Sequence, residues 1–354
     1  MDRIDKKIKE IAKKIVDSEV KRKKIAYFLR EIGDKMGIFN EVEKIAIKNL
    51  KVVGVDGGIA KKSLHGFDFI VTRAVATYFR YSKGRLTSVN YFPSKSPIPA
   101  IKILEALSDL DWSYSISISR QMAEISVAIA AVKKFKPDLL LLDGSVVPHY
   151  TDRPSRSSAI YEAYVELINL YKELFDTTTA YGIIIAGVIE DSRGNRFGEI
   201  IEEKVLSEIK NPLVNEVKKM IYKTRDTNLL FWALKKGERS LVFDYAREPE
   251  SHPILREFPE YMKRIKSFYL KTSRFDRPIR VDFIGEDFIA DRLSSIIFSL
   301  SCYHDGYGLP SVLIEADNAA KLKEDDAELI YNAILSETGM LPSVLRMRRE
   351  NRPF

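Results

Sequence analysis

Cysteine occurs once in the 354 residues, at Cys302, which excludes an internal disulfide and every multi-thiolate zinc or iron–sulfur site. Only four histidines remain as nitrogen ligands: His65, His149, His252 and His304. Uncharged apolar runs such as Ala180–Ile189 and Ile125–Val132 fall short of the roughly 20 residues needed to cross a bilayer, so no membrane span is expected. The N-terminus reads Met-Asp-Arg-Ile-Asp-Lys-Lys-Ile-Lys and lacks the apolar block of a secretory signal, which predicts a cytoplasmic protein. Glutamine appears only at Gln121 while lysine and glutamate abound, the amide-poor balance expected of a thermophilic source.

Against these shortages stand 45% hydrophobic and 30% charged residues, enough for a sizeable core under a well-solvated surface. The net charge is +7, and +5 of it lies in residues 1–50. A second basic cluster closes the chain at Arg346, Arg348, Arg349 and Arg352. Basic ends on a nearly neutral middle suit a polyanion, since each phosphate neutralised releases counterions; a merely solvated helix face would show the same composition.

Residues 1–49 carry Ile4, Ile8, Ile11, Ile15, Ile25, Phe28, Leu29 and Ile32 between lysines, predicting two amphipathic helices that form an N-terminal extension. From Leu50 the pattern becomes a short buried strand ending in Asp56-Gly57-Gly58. Extended stretches at Phe67–Tyr81 and Leu86–Phe92 flank Ser82-Lys83-Gly84-Arg85, a hairpin signal. A helix over Ile118–Phe135, stopped by Pro137, leads into the apolar strand ending at Asp143, whose composition suits a parallel strand buried on both faces. Helix is expected at Tyr161–Phe175, at Ile200–Tyr222 with Pro212 interrupting, at Phe288–Leu300 and at Ser311–Leu322. Strands are expected at Tyr181–Ile189, Ser240–Asp244, Phe268–Ser273 and Ile279–Phe283. The order describes one mixed α/β domain over residues 50–354 behind the extension.

Asp56 and Asp143 each end an apolar strand and precede glycine, so both are exposed where open α/β sheets bind ligands. A turn-forming role is the alternative for each. Glu124 lies among Met122, Ala123, Ile125, Val127 and Ala128, a face that carboxylates avoid unless paired or metal-bound; an ion pair with Arg120 is the simpler account. Three such carboxylates can hold one or two Mg2+ or Mn2+ ions, which take oxygen ligands. Near the C-terminus, Cys302-Tyr303-His304-Asp305-Gly306-Tyr307-Gly308 precedes a helix capped by Ser311 and carrying Glu315 and Asp317. His304 or Asp317 could complete a metal sphere, and Tyr307 could contact a phosphate or base. Lys61, Lys62 and the terminal arginines could position a phosphate backbone, and Tyr150 could stack on an unpaired base.

Val53-Gly-Val-Asp56-Gly-Gly, Arg120 with Glu124, Leu140-Leu-Leu-Asp143-Gly-Ser, Arg225-Asp226-Thr-Asn-Leu-Leu and Gly308-Leu-Pro-Ser-Val-Leu-Ile-Glu-Ala-Asp317 together resemble the NurA nucleases of archaea. The resemblance implies an RNase H-like mixed sheet flanked by helices and a homodimer. It further implies a Mn2+-dependent nuclease acting on single- and double-stranded DNA, as a 5′ to 3′ exonuclease and a single-strand endonuclease. A HerA-type hexameric ATPase is the implied partner in processing double-strand break ends. It assigns Asp56, Glu124 and Asp143 as metal ligands and leaves the fourth between Asp317, which is favoured, and His304. Tyr307 and Arg120 are carried over as site residues, the latter towards DNA with Lys61, Lys62, Tyr150, Arg346, Arg348 and Arg349.

Two other classes fit part of the pattern. An actin- or sugar-kinase-like phosphotransferase would use the Asp56-Gly57-Gly58 turn to cradle ATP phosphates but leaves Glu124 without a task. A non-catalytic DNA-binding subunit would need only the basic ends.

Overall fold

The computed structural model describes residues 2–105, 107–207, 209 and 214–348. In chain order the elements are α1 (Asp2–Met36), β1 (Phe39–Glu41), β2 (Asn49–Ser63), β3 (Phe67–Ser82), β4 (Arg85–Phe92), β5 (Ala100–Glu105), α2 (Asp109–Phe135), β6 (Leu139–Asp143), α3 (Tyr161–Ala180) and β7 (Ile184–Ile189). There follow α4 (Arg196–Ile200), α5 (Val214–Ile221), α6 (Asp226–Ala233), β8 (Glu238–Ser240), β9 (Phe243–Asp244), β10 (Ile265–Lys271), β11 (Ile279–Ile284), α7 (Ile289–Ser301), α8 (Ser311–Ala320) and α9 (Glu324–Thr338). Among the described residues no helix is long and apolar enough to cross a membrane. The architecture is a mixed α/β, RNase H-like fold with helices flanking the strands and a helix preceding them.

The chain divides into two compact units. One comprises residues 1–46, 188–248 and 263–310. Of the stretch expected as an N-terminal extension, residues 1–46 share this unit with residues 188–248 and 263–310. The two expected N-terminal helices are one, because Asp17-Ser18-Glu19 contains no Gly or Pro and a charged stretch continues a helix as readily as it ends one. Ile25 and Leu29 of α1 are buried with Leu229 and Leu230 of α6, while Ile4, Ile8, Ile11 and Ile15 stay exposed. The helix is fastened by Arg30, whose Nη2 donates to Glu238 (2.8 Å). Strands β1, β8, β10 and β11 form the antiparallel sheet of this unit, with β9 on β10. Asp226 of the Arg225-Asp226 motif is buried and accepts the Phe197 and Gly198 N–H groups (2.9 Å each) and the Tyr269 hydroxyl (3.1 Å). It satisfies the open donors at the start of α4, a structural duty.

The second unit comprises residues 47–187, 249–262 and 311–354. Its strand order is β7-β6-β2-β3-β4, with β5 on the same edge of β3 as β4. The long β2–β3 hairpin is antiparallel throughout, and β3 turns into β4 through Lys83 and Gly84, both at positive φ, as the expected tight turn requires. The apolar strand β6 lies parallel to β2, buried as its composition predicted. Helix α2 starts at Asp109, well before the expected Ile118, because Ser108 caps it by accepting the Asp111 N–H (3.1 Å). The serine-rich first turns lack the apolar periodicity that marks the rest.

Glycines of β2 fix where two helices sit. A Cβ at Gly57 would meet Glu124 of α2, whereas Cβ atoms at Gly54 and Gly58 would meet the carbonyls of Val312 and Ala320 of α8. Successive strand residues face opposite sides, so α2 and α8 cover opposite faces of the sheet. Eight helical residues span about 12 Å and four strand residues about 13 Å, so α8 runs alongside β2 in the same direction with Asp317 near the level of Asp56. Gly58→Ala should therefore cost about 1–3 kcal/mol, because the added methyl meets helix backbone that cannot rotate aside. Chemical denaturation measures this, and an unchanged midpoint would contradict the close approach.

Candidate metal centre

Apolar sequence carries β2 and β6 through the core, and each emits its carboxylate where the run stops. The parallel register pairs Val55 with Leu142, so Asp56 and Asp143, one residue further on, stand side by side. Asp143 is the last residue of β6, but Asp56 lies in the middle of β2, which runs on through Gly57 and Gly58 to Ser63, past the stop expected from the sequence, because its pairing with β3 continues. Laterally aligned residues of a parallel pair face the same side, here that of α8, which brings Asp317. Glu124 comes from the α2 side: its Cγ and Oε1 lie 2.6 and 2.7 Å from where a Cβ of Gly57 would be, so only glycine lets it reach the strand beside Asp56.

Electrostatics tie the four carboxylates together. Burial pushes the Asp56 carboxyl up to about 7; Asp143 and Asp317 add to the rise, while the Gly57 N–H (2.6 Å to Oδ1) and Arg120 oppose it. Burial also raises Glu124, helped by Asp56 and Asp143 and opposed by Arg120, with which it forms an ion pair. The Arg120–Glu124 pair weighed from the sequence is thus present, and so is the crowd of carboxylates around it. Glu124 raises Arg120 in turn, and Asp56 and Asp143 do the same more weakly.

Oxygen donors, like charges and burial are the chemistry that a hard dication relieves, so the residues fit Mn2+ or Mg2+ in kind. In position they are open. Among the described residues no group of three or more His, Cys, Asp or Glu side chains stands ready to hold a metal, since Glu124 is turned to Arg120 and Asp56 to the Gly57 N–H. The two observations differ because through-space repulsion acts over longer distances than ligation.

The other expected residues are distributed as follows. His304 and Tyr307 belong to the first unit, in a segment held by Gly308 N–H to Asp276 Oδ2 (2.8 Å) and Thr272 Oγ1 to the Gly308 carbonyl (2.5 Å). There His304 is exposed and its Nδ1 accepts the Gly306 N–H (3.0 Å). Ser311, expected as the cap of α8, is its first residue. Lys61 is exposed, but Lys62 is only 8% exposed, ion-paired with Glu328 and lying over the Tyr331 ring. Its place on the α8 side of β2, where α9 also packs, takes it from the surface role expected of it. Arg346 joins the same group, donating to Glu328 (2.8 Å) and stacking on Tyr331 (4.7 Å), and Arg348 is exposed. Arg349 lies outside the described residues. Tyr150 is 57% exposed beside His149, in a turn anchored to α2 through Gln121 Nε2 and Asp152 (3.0 Å).

Sequence reasoning missed Tyr91. At the end of β4 its hydroxyl donates to Glu315 of α8 (2.6 Å), which raises it to about 12, and Lys95 lies over its ring. The pair joins positions 224 residues apart, and no local pattern announces it.

A NurA domain model matches residues 50–322. No curated protein matches by sequence. Among solved structures, the NurA nuclease from Sulfolobus solfataricus is similar at 19% identity and a TM-score of 0.60, over 95% of this chain and 97% of that one. A NurA with manganese (12% identity, TM-score 0.50, 94% and 98% covered) and a NurA bound to dAMP and manganese (11%, 0.51, 96% and 98%) are similar as well. These likenesses speak for the fold, while the domain match covers well over half of the sequence and includes Asp56, Glu124, Asp143 and Asp317. The chain belongs to the NurA family.

Proposed function

We propose that this protein is a Mn2+-dependent deoxyribonuclease whose cation is held by Asp56, Glu124, Asp143 and Asp317. The observation that carries the reading is the register that sets Asp56, within β2, beside Asp143 at the end of the parallel strand β6. Asp317 is preferred to His304 as the fourth ligand because it acts on Asp56 directly. A family relative is described with manganese and dAMP, in keeping with a nucleotide at such a site.

Bound there, a divalent cation supplies charge stabilisation for in-line displacement at a phosphodiester. The chain's own residues do the rest. The carboxylates fix where that charge sits, Arg120 and Lys61 meet phosphate oxygens, and Tyr150 offers a ring for an unpaired base. The finer reading, supported by family membership, is 5′ to 3′ exonuclease and single-strand endonuclease action. It includes a cytoplasmic homodimer working with a HerA-type hexameric ATPase on double-strand break ends.

The test is end-labelled single- and double-stranded DNA incubated with Mn2+, with and without EDTA and ATP. We expect shortening with Mn2+, none with EDTA and no dependence on ATP. Intact DNA with ATP turnover would instead favour the phosphotransferase class.

A further inference from the structure

The Arg120–Glu124 contact raises a question of charge. The cluster holds four carboxylates, and Arg120 acts on both Asp56 and Glu124. Glu124 packs against Gly57, one residue from Asp56, so the guanidinium sits at the ligand set itself and not on a remote helix face. The two partners differ in exposure: the Glu124 side chain is 9% exposed and that of Arg120 33%.

We infer that Arg120 is the built-in counter-ion of the site, held on Glu124 while no divalent cation is present and displaced from it when one binds. This rests on the metal reading above. A dication is compact and carries twice the charge of a guanidinium, so at the same carboxylates it outcompetes the arginine and then repels it. By linkage the competition is reciprocal: whatever weakens the arginine's hold strengthens that of the cation. The displaced guanidinium is a planar fork suited to phosphate oxygens, so cation uptake also readies the site for the DNA backbone. An i,i+4 pair that served only to steady α2 would have no such link to the cation.

The experiment titrates wild-type protein, Arg120→Met and Arg120→Lys with Mn2+ in the absence of DNA, by calorimetry, and records the Mn2+-induced change in melting temperature. Arg120→Met should bind Mn2+ at least about tenfold more tightly than wild type and show a larger Mn2+-induced rise. Arg120→Lys, which keeps the charge, should stay within about threefold of wild type. If wild type binds Mn2+ and Arg120→Met binds it equally or more weakly, the counter-ion role is overturned and the metal site stands. If Arg120→Lys binds as tightly as Arg120→Met, charge is not the cause and the inference also falls. Wild-type protein that takes up no Mn2+ overturns the metal reading and this inference together.

Discussion

Asp56→Asn and Asp143→Asn should each reduce Mn2+-dependent DNA cleavage by about a thousandfold or more, without lowering the stability of the cation-free protein. Most substitutions of buried residues cost stability, so loss of activity with retained or increased stability is a distinctive pair of results. Asp56 is buried beside Asp143 and within reach of Asp317, and its ionised form is disfavoured by all three circumstances. An amide keeps the shape and removes the repelling charge. A residue kept for packing, or for capping a turn, would show the reverse: a lower melting temperature and little effect on turnover at saturating cation. Glu124→Gln differs in stability, because it leaves the Arg120 guanidinium without its buried partner.

Stability should depend on pH with opposite signs in the presence and absence of the cation. The folded-state value of Asp56, about 7, lies above the ordinary 3.8, so the folded protein binds the extra proton between them. The corresponding stability is fully present below about pH 4 and is lost as the pH rises through about 7. From about pH 5 to pH 8 the cation-free protein should therefore lose on the order of 2–4 kcal/mol through this group. Mn2+ needs the ionised carboxylates and competes with protons for them, so the loaded protein should gain stability over the same interval. Denaturation of wild type and Asp56→Asn at both pH values, with Mn2+ or with EDTA, isolates the effect. The variant should lose most of the dependence, and an identical slope in both proteins would contradict the account.

The two aspartates were legible because the signal is local: an apolar run, a carboxylate and a glycine lie within a few residues. The continuation of β2 through Gly57-Gly58 to Ser63 was not, because paired glycines read as a turn and only the long pairing with β3 keeps them extended. Glu124 was legible for the opposite reason, as a charge on a face that otherwise repels charge. Asp317 could be named from its motif, but its approach to Asp56 depends on Gly54 and Gly58 letting α8 lie on β2, a tertiary fact. Strand β5 escaped notice because Ala100–Glu105 is largely exposed on both faces and shows no alternation to read. Lys62 was misread as a surface cation because its partners, Glu328 and Tyr331, lie on a helix far along the chain that had not been recognised. The division into two units was hidden because each is assembled from segments distant in sequence.

The most direct test of the central claim is anomalous diffraction at the manganese edge from crystals grown with Mn2+. The account predicts density between the carboxylates of Asp56 and Asp143, with Glu124 turned from Arg120 towards it and Asp317 on the α8 side. A manganese peak at His304, or a peak remote from Asp56 and Asp143 in a protein that still cleaves DNA, would contradict it.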